Sequence, residues 1–426
     1  MLKKLNPKIV KRLLPFFLIF ALGLGIGFYL PDYHLNSPSQ FEEKNTPKAF
    51  LGEVYEKIKE NYWDNISDIQ LLDQFKLATE QVTTNPQLPY SNKDQMISAV
   101  LSATSGEDQK DKVISIVSTV LAHLNPNGRS GLFTQKQEVA LKNTVENVDP
   151  NKDLYKDLDL SKGASESAIT DAYQKKSEEL AQDKSPQAQE KLKQLSYAKD
   201  VLTQKDTKQR YDSKGIEPTI STKTITPQIV YLQFKKFSPT SLEEFVQALD
   251  TFKDNNNIQA LVFDLRGNIG GAIDATAYFL GFFLGKNQYA FDFYQKGQYL
   301  PFKTPTDKHP AVNKFKQIIV LIDNQTQSSA EMLVASFKKY HLGVVVGETT
   351  KGWGTVERVF PLENQLNPEE KYSMFLVHSV TLREDNQPIE GRGVEPDINI
   401  KNSKWSEELF SYFKDQQLVN SVKIIL

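Results

Sequence analysis

Apolar residues between Ile318 and Val346 fall into three runs with different spacing. Ile318 to Ile322 is a continuous apolar run and predicts a buried strand. Met332, Leu333, Phe337 and Tyr340 recur at helical spacing and predict a helix. Val344 to Val346 predicts a second strand. A polar turn carrying Ser328 and Ser329 lies between the first strand and the helix. A Gly-rich turn with Lys351, Gly352, Trp353 and Gly354 follows the second strand. The same alternation holds from Ile216 onward. Ile229 to Phe234 reads as a strand. Leu242 to Phe252 reads as a helix, with Leu242, Phe245, Val246 and Leu249 on one face. Ile258 to Leu265 is an apolar strand, and Ala272 to Leu284 a helix. Strands alternating with helices predict a layered α/β sheet whose active groups sit on strand-end loops.

The first half of the chain lacks strand patterning. Leu51, Val54, Tyr55, Ile58 and Tyr62 predict one amphipathic helix, and Leu71, Leu72, Phe75 and Leu77 a second. Val82 to Asn92 holds two prolines and reads as a loop. Ile97 to Leu101 and Val113 to Leu124 predict two more helices, and Leu124 to Thr134 a turn. This block carries no chemistry of its own. Asp153 to Gly215 stands apart by composition, being rich in Lys, Gln, Asp and Ser. Ile169 and Tyr173, then Leu192, Leu195, Ala198 and Leu202, recur at helical spacing, and Ser165 is placed to cap a helix N-terminus. A small helical hairpin follows from this pattern.

The N-terminus changes the picture. Lys3, Lys4, Lys8, Lys11 and Arg12 precede an uncharged apolar run from Leu13 to Leu30. Such a helix is about 27 Å long, close to the thickness of a bilayer core. The basic flank predicts a cytoplasmic N-terminus, a single span, and the bulk of the chain outside. A cleaved signal peptide is the competing reading. Phe28, Tyr29 and Leu30 offer no small-x-small cleavage site for it. The expected organisation is therefore a basic segment (1–12), a transmembrane anchor (13–30) and a linker (31–48). A helical region (49–150), a small helical domain (151–216) and an α/β domain (217–426) complete it.

Composition excludes several classes. A length of 426 residues leaves room for two or three domains. A net charge of −2 gives no electrostatic case for nucleic acid. The chain has no cysteine, which removes disulfides, thiolate nucleophiles and Cys-ligated metals. No His or carboxylate spacing suggests a metal, and no cofactor motif is present.

Two loops carry the candidate chemistry. Ser328, on a strand-to-helix turn, sits beside helix N-terminal N–H groups that stabilise an oxyanion. A lysine on a neighbouring turn can take its proton if burial lowers the lysine's pKa toward neutrality. In DLRGNIGG, Asp264 to Gly271, paired glycines after an apolar strand let backbone approach a ligand and offer N–H donors.

With these blocks in order, Ile229 to Ile400 resembles the catalytic domain of the carboxyl-terminal processing (tail-specific) serine peptidases. The matching blocks are IVYLQFKKF, LVFDLRGNIGG, the Ile318 to Glu357 stretch, and IEGRGVEPDI at Ile389 to Ile398. The resemblance implies an α/β peptidase core, a protein or peptide substrate and no cofactor. The family's nucleophile turn corresponds to Thr326-Gln327-Ser328-Ser329-Ala330-Glu331. It makes Ser328 the nucleophile and assigns the oxyanion hole to Ser329 N–H with Gly270 or Gly271. The family's general base is a lysine in Thr-Phe-Gly-Lys-Gly. Here Trp353 stands at the lysine position and Glu357 at that of its orienting glutamine. Lys351, two residues earlier, lies on the same side of an extended segment, roughly 6.6 Å away. It is the candidate displaced base, with Glu357 or a histidine, His341 or His378, as another source. Where the family carries a PDZ domain, Asp153 to Gly215 resembles a J domain. Leu154–Tyr155, Ala164–Ser165, Ala172–Tyr173, Val201–Leu202 and Tyr211–Asp212 carry that resemblance. The His-Pro-Asp signature is replaced by Ala181-Gln182-Asp183, so no DnaK-type chaperone is expected as a partner. The expected function is membrane-anchored, extracytoplasmic serine-type proteolysis by Ser328 and Lys351. The alternative is an inactive pseudopeptidase that binds polypeptides or partner proteins through the same groove.

Overall fold

The computed structural model describes residues 46–87 and 89–426. The basic segment and the anchor expected at Leu13 to Leu30 lie outside the described residues, as does most of the linker. No helix among the described residues is long and apolar enough to cross a membrane.

The first described helices are α1 (Pro47–Asn61), α2 (Asp68–Thr83), α3 (Lys93–Ala103) and α4 (Gln109–His123). Thr46 and Ser67 cap the first two through side-chain oxygens, which satisfy N–H groups that the helix itself leaves free. Leu71, Leu72 and Phe75 are buried as their spacing predicts. Leu77 is 53% exposed instead, because Ala78 and Thr79 continue the buried stripe of α2. The expected turn after α4 ends in strand β1 (Gly131–Thr134), which pairs antiparallel with Tyr372 to Phe375. Helix α5 (Gln135–Glu146) leads out of this block.

The small helical domain contains α6 (Leu154–Asp157), α7 (Glu166–Leu180), α8 (Pro186–Thr203) and α9 (Lys205–Lys214). Ser165 caps α7 as expected. Leu154, Leu158, Ile169, Leu195 and Leu202 form a core separate from the others.

The α/β part follows as β2 (Ile220–Thr226), β3 (Ile229–Phe234), α10 (Ser241–Phe252), β4 (Ala260–Asp264) and α11 (Thr276–Leu284). Next come β5 (Tyr289–Gln295), β6 (Gln298–Lys303), β7 (Gln317–Ile322), α12 (Ser329–Lys339) and β8 (Val344–Gly347). The chain closes with β9 (Thr355–Pro361), β10 (Tyr372–Thr381), β11 (Ile398–Asn399), α13 (Trp405–Phe413) and α14 (Gln416–Ile425). Helix α11 begins four residues later than its pattern predicts. Ala272 N–H is held by Phe237 O at 2.8 Å, and a short 3₁₀ turn at Ile273–Ala275 intervenes.

Sheet order in the core is β11-β8-β7-β4-β3-β2, parallel except for the antiparallel β2–β3 pair. Residues alternate between two apolar faces, which explains the continuous apolar runs. Leu261, Phe263 and Val320 join the core under α10, α11 and α12. Ala260, Val262, Ile319 and Val346 face the C-terminal helices through Leu409, Leu418 and Val422. A second sheet, β1-β10-β5-β6 with β9 also on β10, is antiparallel. Tyr372, Met374 and Leu376 of β10 bury one face of it against α1 to α4.

The small helical domain docks on the α/β core through charge. Arg210 of α9 forks to Glu243 at 2.9 Å and Glu244 at 3.2 Å, both on α10. Glu244 is 7% exposed and also accepts Thr219 N–H and Ile220 N–H, so none of its charge is left without a partner. Lys152 pairs with Glu217 at 2.6 Å, and the Lys152 and Lys235 ammonium groups both contact the Tyr197 ring, at 4.5 and 4.9 Å from its centre.

Candidate active site

The serine turn leaves β7 at Asp323 and is strapped to the loop after β4. Asp323 Oδ1 accepts the N–H groups of Gly267, Gln325 and Thr326. Thr326 Oγ1 donates to Leu265 O at 2.9 Å, and Gln327 N–H to Asn268 O at 2.9 Å. These bonds hold Ser328 at φ 59°, ψ −126°, immediately before α12. A non-glycine residue at positive φ carries strain of about 1–3 kcal/mol, which the surrounding bonds must offset. The result projects Ser328 at the positive end of the α12 dipole.

Gly270 and Gly271 are required by close approach. A Cβ on Gly270 would lie 2.6 Å from Ser328 Cβ, and one on Gly271 would lie 2.1 Å from Phe237 O. Their N–H groups differ in availability. Gly270 N–H is occupied by Asn268 Oδ1 at 2.8 Å. Gly271 N–H and Ser329 N–H engage no acceptor among the described residues. Of the two glycines, Gly271 is thus the one whose donor remains open beside Ser329. Ser329 Oγ donates to Gly271 O at 3.0 Å and fixes the two turns against each other.

The opposite wall is the turn from Thr350 to Glu357. Glu331, fully buried, ties it to the serine. Its carboxylate accepts Ser328 N–H at 2.8 Å, Thr350 Oγ1–H at 2.5 Å, Gly352 N–H at 2.7 Å and Trp353 N–H at 2.8 Å. Burial pushes its pKa above the usual carboxylate value, and these bonds oppose that shift without cancelling it. Glu331 was readable as a Ser-x-x-Glu helix-start pattern, but its grip on a turn 21 residues away was not.

The expected base residues occupy distinct places. Lys351 is exposed. Its backbone N–H donates to Thr326 O, and its Nζ lies 5.7 Å from the centre of the Trp353 ring. Trp353 is held on several sides. Its indole N–H donates to Glu357 Oε1 at 3.0 Å, and the Arg129 guanidinium stacks on its ring at 3.7 Å. Glu357 also accepts Thr355 Oγ1–H, and burial raises its pKa. No lysine, histidine or carboxylate side chain is hydrogen-bonded to Ser328 Oγ among the described residues. His341 lies beyond the far end of α12 from Ser328, and His378 Nδ1 faces Asn61 O on α1. Burial lowers the His378 pKa. No group of three His, Cys, Asp or Glu among the described residues could hold a metal ion.

Arg129 is the site-facing residue that sequence patterns did not single out. It sits in a turn of the helical region, some 220 residues before Trp353, and only folding brings the two together.

Residues 228–400 match the profile of Peptidase family S41, and residues 153–212 that of the DnaJ domain. The chain is 28% identical over 139 residues to carboxyl-terminal-processing peptidase 2 of the Arabidopsis thaliana chloroplast. That covers 33% of this chain and 26% of the relative. It is 22% identical over 361 residues to carboxy-terminal processing protease CtpA of Bacillus subtilis (strain 168), covering 82% and 68% respectively. The solved photosystem II D1 C-terminal processing protease superposes with a TM-score of 0.52 at 13% identity. The alignment covers 83% of this chain and 93% of that one, which establishes a shared fold. The matched segments are those in which the sequence motifs resemble the two families.

Proposed function

We propose, for a chain whose residues 228–400 are a peptidase family S41 domain, that it engages extended polypeptide at Ser328 and does not cleave it by the family's Ser–Lys route. An N-terminal anchor at residues 13–30 holds it on the outer face of the cell membrane. The observation that carries this reading is the filled base position. Trp353 stands there, bonded to Glu357 and stacked on Arg129, while Lys351 is exposed. An indole N–H is a donor only and cannot accept the serine proton. A serine without a base is a weak nucleophile. The peptidase reading, with Lys351 as the base, has one observation in its favour: Gly271 and Ser329 N–H remain open beside a serine in a strained conformation.

The test uses purified whole chain with a denatured protein substrate, comparing wild type, Ser328→Ala and Trp353→Lys. Binding of the substrate by wild type, no cleavage, and cleavage on Trp353→Lys are the expected results. Wild-type cleavage that Ser328→Ala abolishes would establish the peptidase reading instead. For the anchor, protease added to spheroplasts should digest everything beyond residue 31, and full protection would reverse the orientation.

A further inference from the structure

Arg129 belongs to the N-terminal helical region, yet it forms part of the wall of the serine site. Its Nε and one terminal nitrogen donate to Glu390 Oε1 at 2.9 and 2.8 Å, and the other oxygen of Glu390 accepts Gly354 N–H at 2.7 Å. The same guanidinium stacks on Trp353. One side chain therefore reaches two residues of the turn, Trp353 by its indole face and Gly354 through Glu390. Both nitrogens converge on one carboxylate oxygen, a charge-assisted contact made by a mostly buried arginine. The Arg129 side chain is 20% exposed and that of Glu390 15%.

The arginine's own turn is fixed to the helical region and to β10. Tyr62 and Trp63, at the end of α1, donate from their side chains to Asn125 O. Ser130 Oγ accepts Val377 N–H at 3.1 Å. The position of α1 is thereby transmitted to Arg129, and from Arg129 to Trp353. Gly352 and Trp353 N–H are held separately, by Glu331. The α/β core also holds Gly354 O through Thr381 N–H and Oγ1–H at 2.7 and 2.9 Å, and the indole through Glu357. Arg129 adds a contact to this turn from the helical region.

We infer that Arg129 is a positioning residue, a latch by which the helical region keeps the Trp353 indole and Gly354 in the base position beside Ser328. Release of Arg129 from Glu390 uncovers the indole face and loosens the Glu390 hold on Gly354 N–H, while the bonds to Glu331, Glu357 and Thr381 stay in place. The inference rests on the reading of Trp353 as the occupant of the base position.

Hydrogen exchange of the Trp353 indole proton and of the Gly354 and Gly352 amides, followed by NMR on the whole chain, tests it. Arg129→Ala should accelerate exchange at the indole and Gly354 by about tenfold, the effect of losing a partly desolvated cation–π contact. Gly352, held by Glu331, should be unaffected. Arg129→Lys keeps the charge but loses the planar guanidinium over the indole and its paired donors to Glu390, and should give an intermediate rate at the same two sites. Affinity for a denatured polypeptide should shift in the same order. Unchanged exchange at the indole and Gly354 in both variants would overturn the latch. So would acceleration that is equal at Gly352 and at the amides of β4 and β7, since that reports general loosening. If wild type binds no polypeptide, the proposed function fails while the exchange measurement still decides the latch.

Discussion

The two sides of Ser328 are built from different kinds of group. On the side read as an oxyanion hole, Gly271 N–H and Ser329 N–H are open among the described residues, and the serine is held at positive φ before a helix. On the side proposed for the base, side chains meet instead. A tryptophan, a glutamate and an arginine from a distant segment interlock there. The contrast teaches which half of the site is bound to the fold. The oxyanion side is made of backbone, and its glycines sit so close to Phe237 and Ser328 that substitution would break the sheet-end packing. The base side is made of side chains, which can be exchanged while the turn beneath them keeps its bonds to Glu331.

The largest effect is expected on the backbone side. Gly271→Ala drives a methyl group to 2.1 Å from Phe237 O and forces φ 133° on an L-residue. A loss of about 3 kcal/mol or more of stability should follow, read by denaturant unfolding. A midpoint equal to wild type would mean that this loop yields, and the comparison would lose its basis.

A smaller, pH-dependent effect is expected from Glu357→Gln. The folded-state pKa of Glu357 lies above its ordinary value of 4.5, with burial as the main cause. The stability contributed by its protonated form is complete below the unfolded value and is lost as pH rises through the folded one. The glutamine variant should therefore gain relative to wild type as pH climbs from 4.5 through that interval. Glu331 shifts in the same direction and keeps part of the slope in the variant. An unchanged difference across that range would show that Glu357 does not titrate on unfolding as this environment requires.

The smallest effect is expected from Lys351→Ala. The side chain is exposed, so stability should move by no more than about 0.5 kcal/mol. Polypeptide binding and any cleavage by Trp353→Lys should be unaltered. Loss of a wild-type cleavage activity on Lys351→Ala would return the base role to this lysine and erase the difference between the two sides.

Much of the core was legible because its signals are local. Continuous apolar runs marked β4, β7 and β8, helical spacing marked α10 and α12, and Ser165 marked the start of α7. The antiparallel sheet was less legible. Its strands mix polar residues, proline and short lengths, as in Gln298–Lys303, and a strand of that kind is defined by its partner more than by its own residues. Likewise, Leu77 belongs to the spacing that predicts α2, yet Ala78 and Thr79 take the buried place beside it.

The sequence by itself determined local motifs: a serine before a helix, glycines after a strand, and a Gly-rich turn carrying a tryptophan and a glutamate. Those properties reside in residues within a few positions of one another, where spacing alone sets geometry. Only the tertiary structure decided which glycine N–H is open, because Asn268 claims that of Gly270. It alone decided that Lys351 faces solvent, that Glu331 joins the two turns, and that Arg129 closes over Trp353. Each of these depends on contacts between segments brought together by packing, and spacing along a chain carries no information about a neighbour that arrives from elsewhere in the fold.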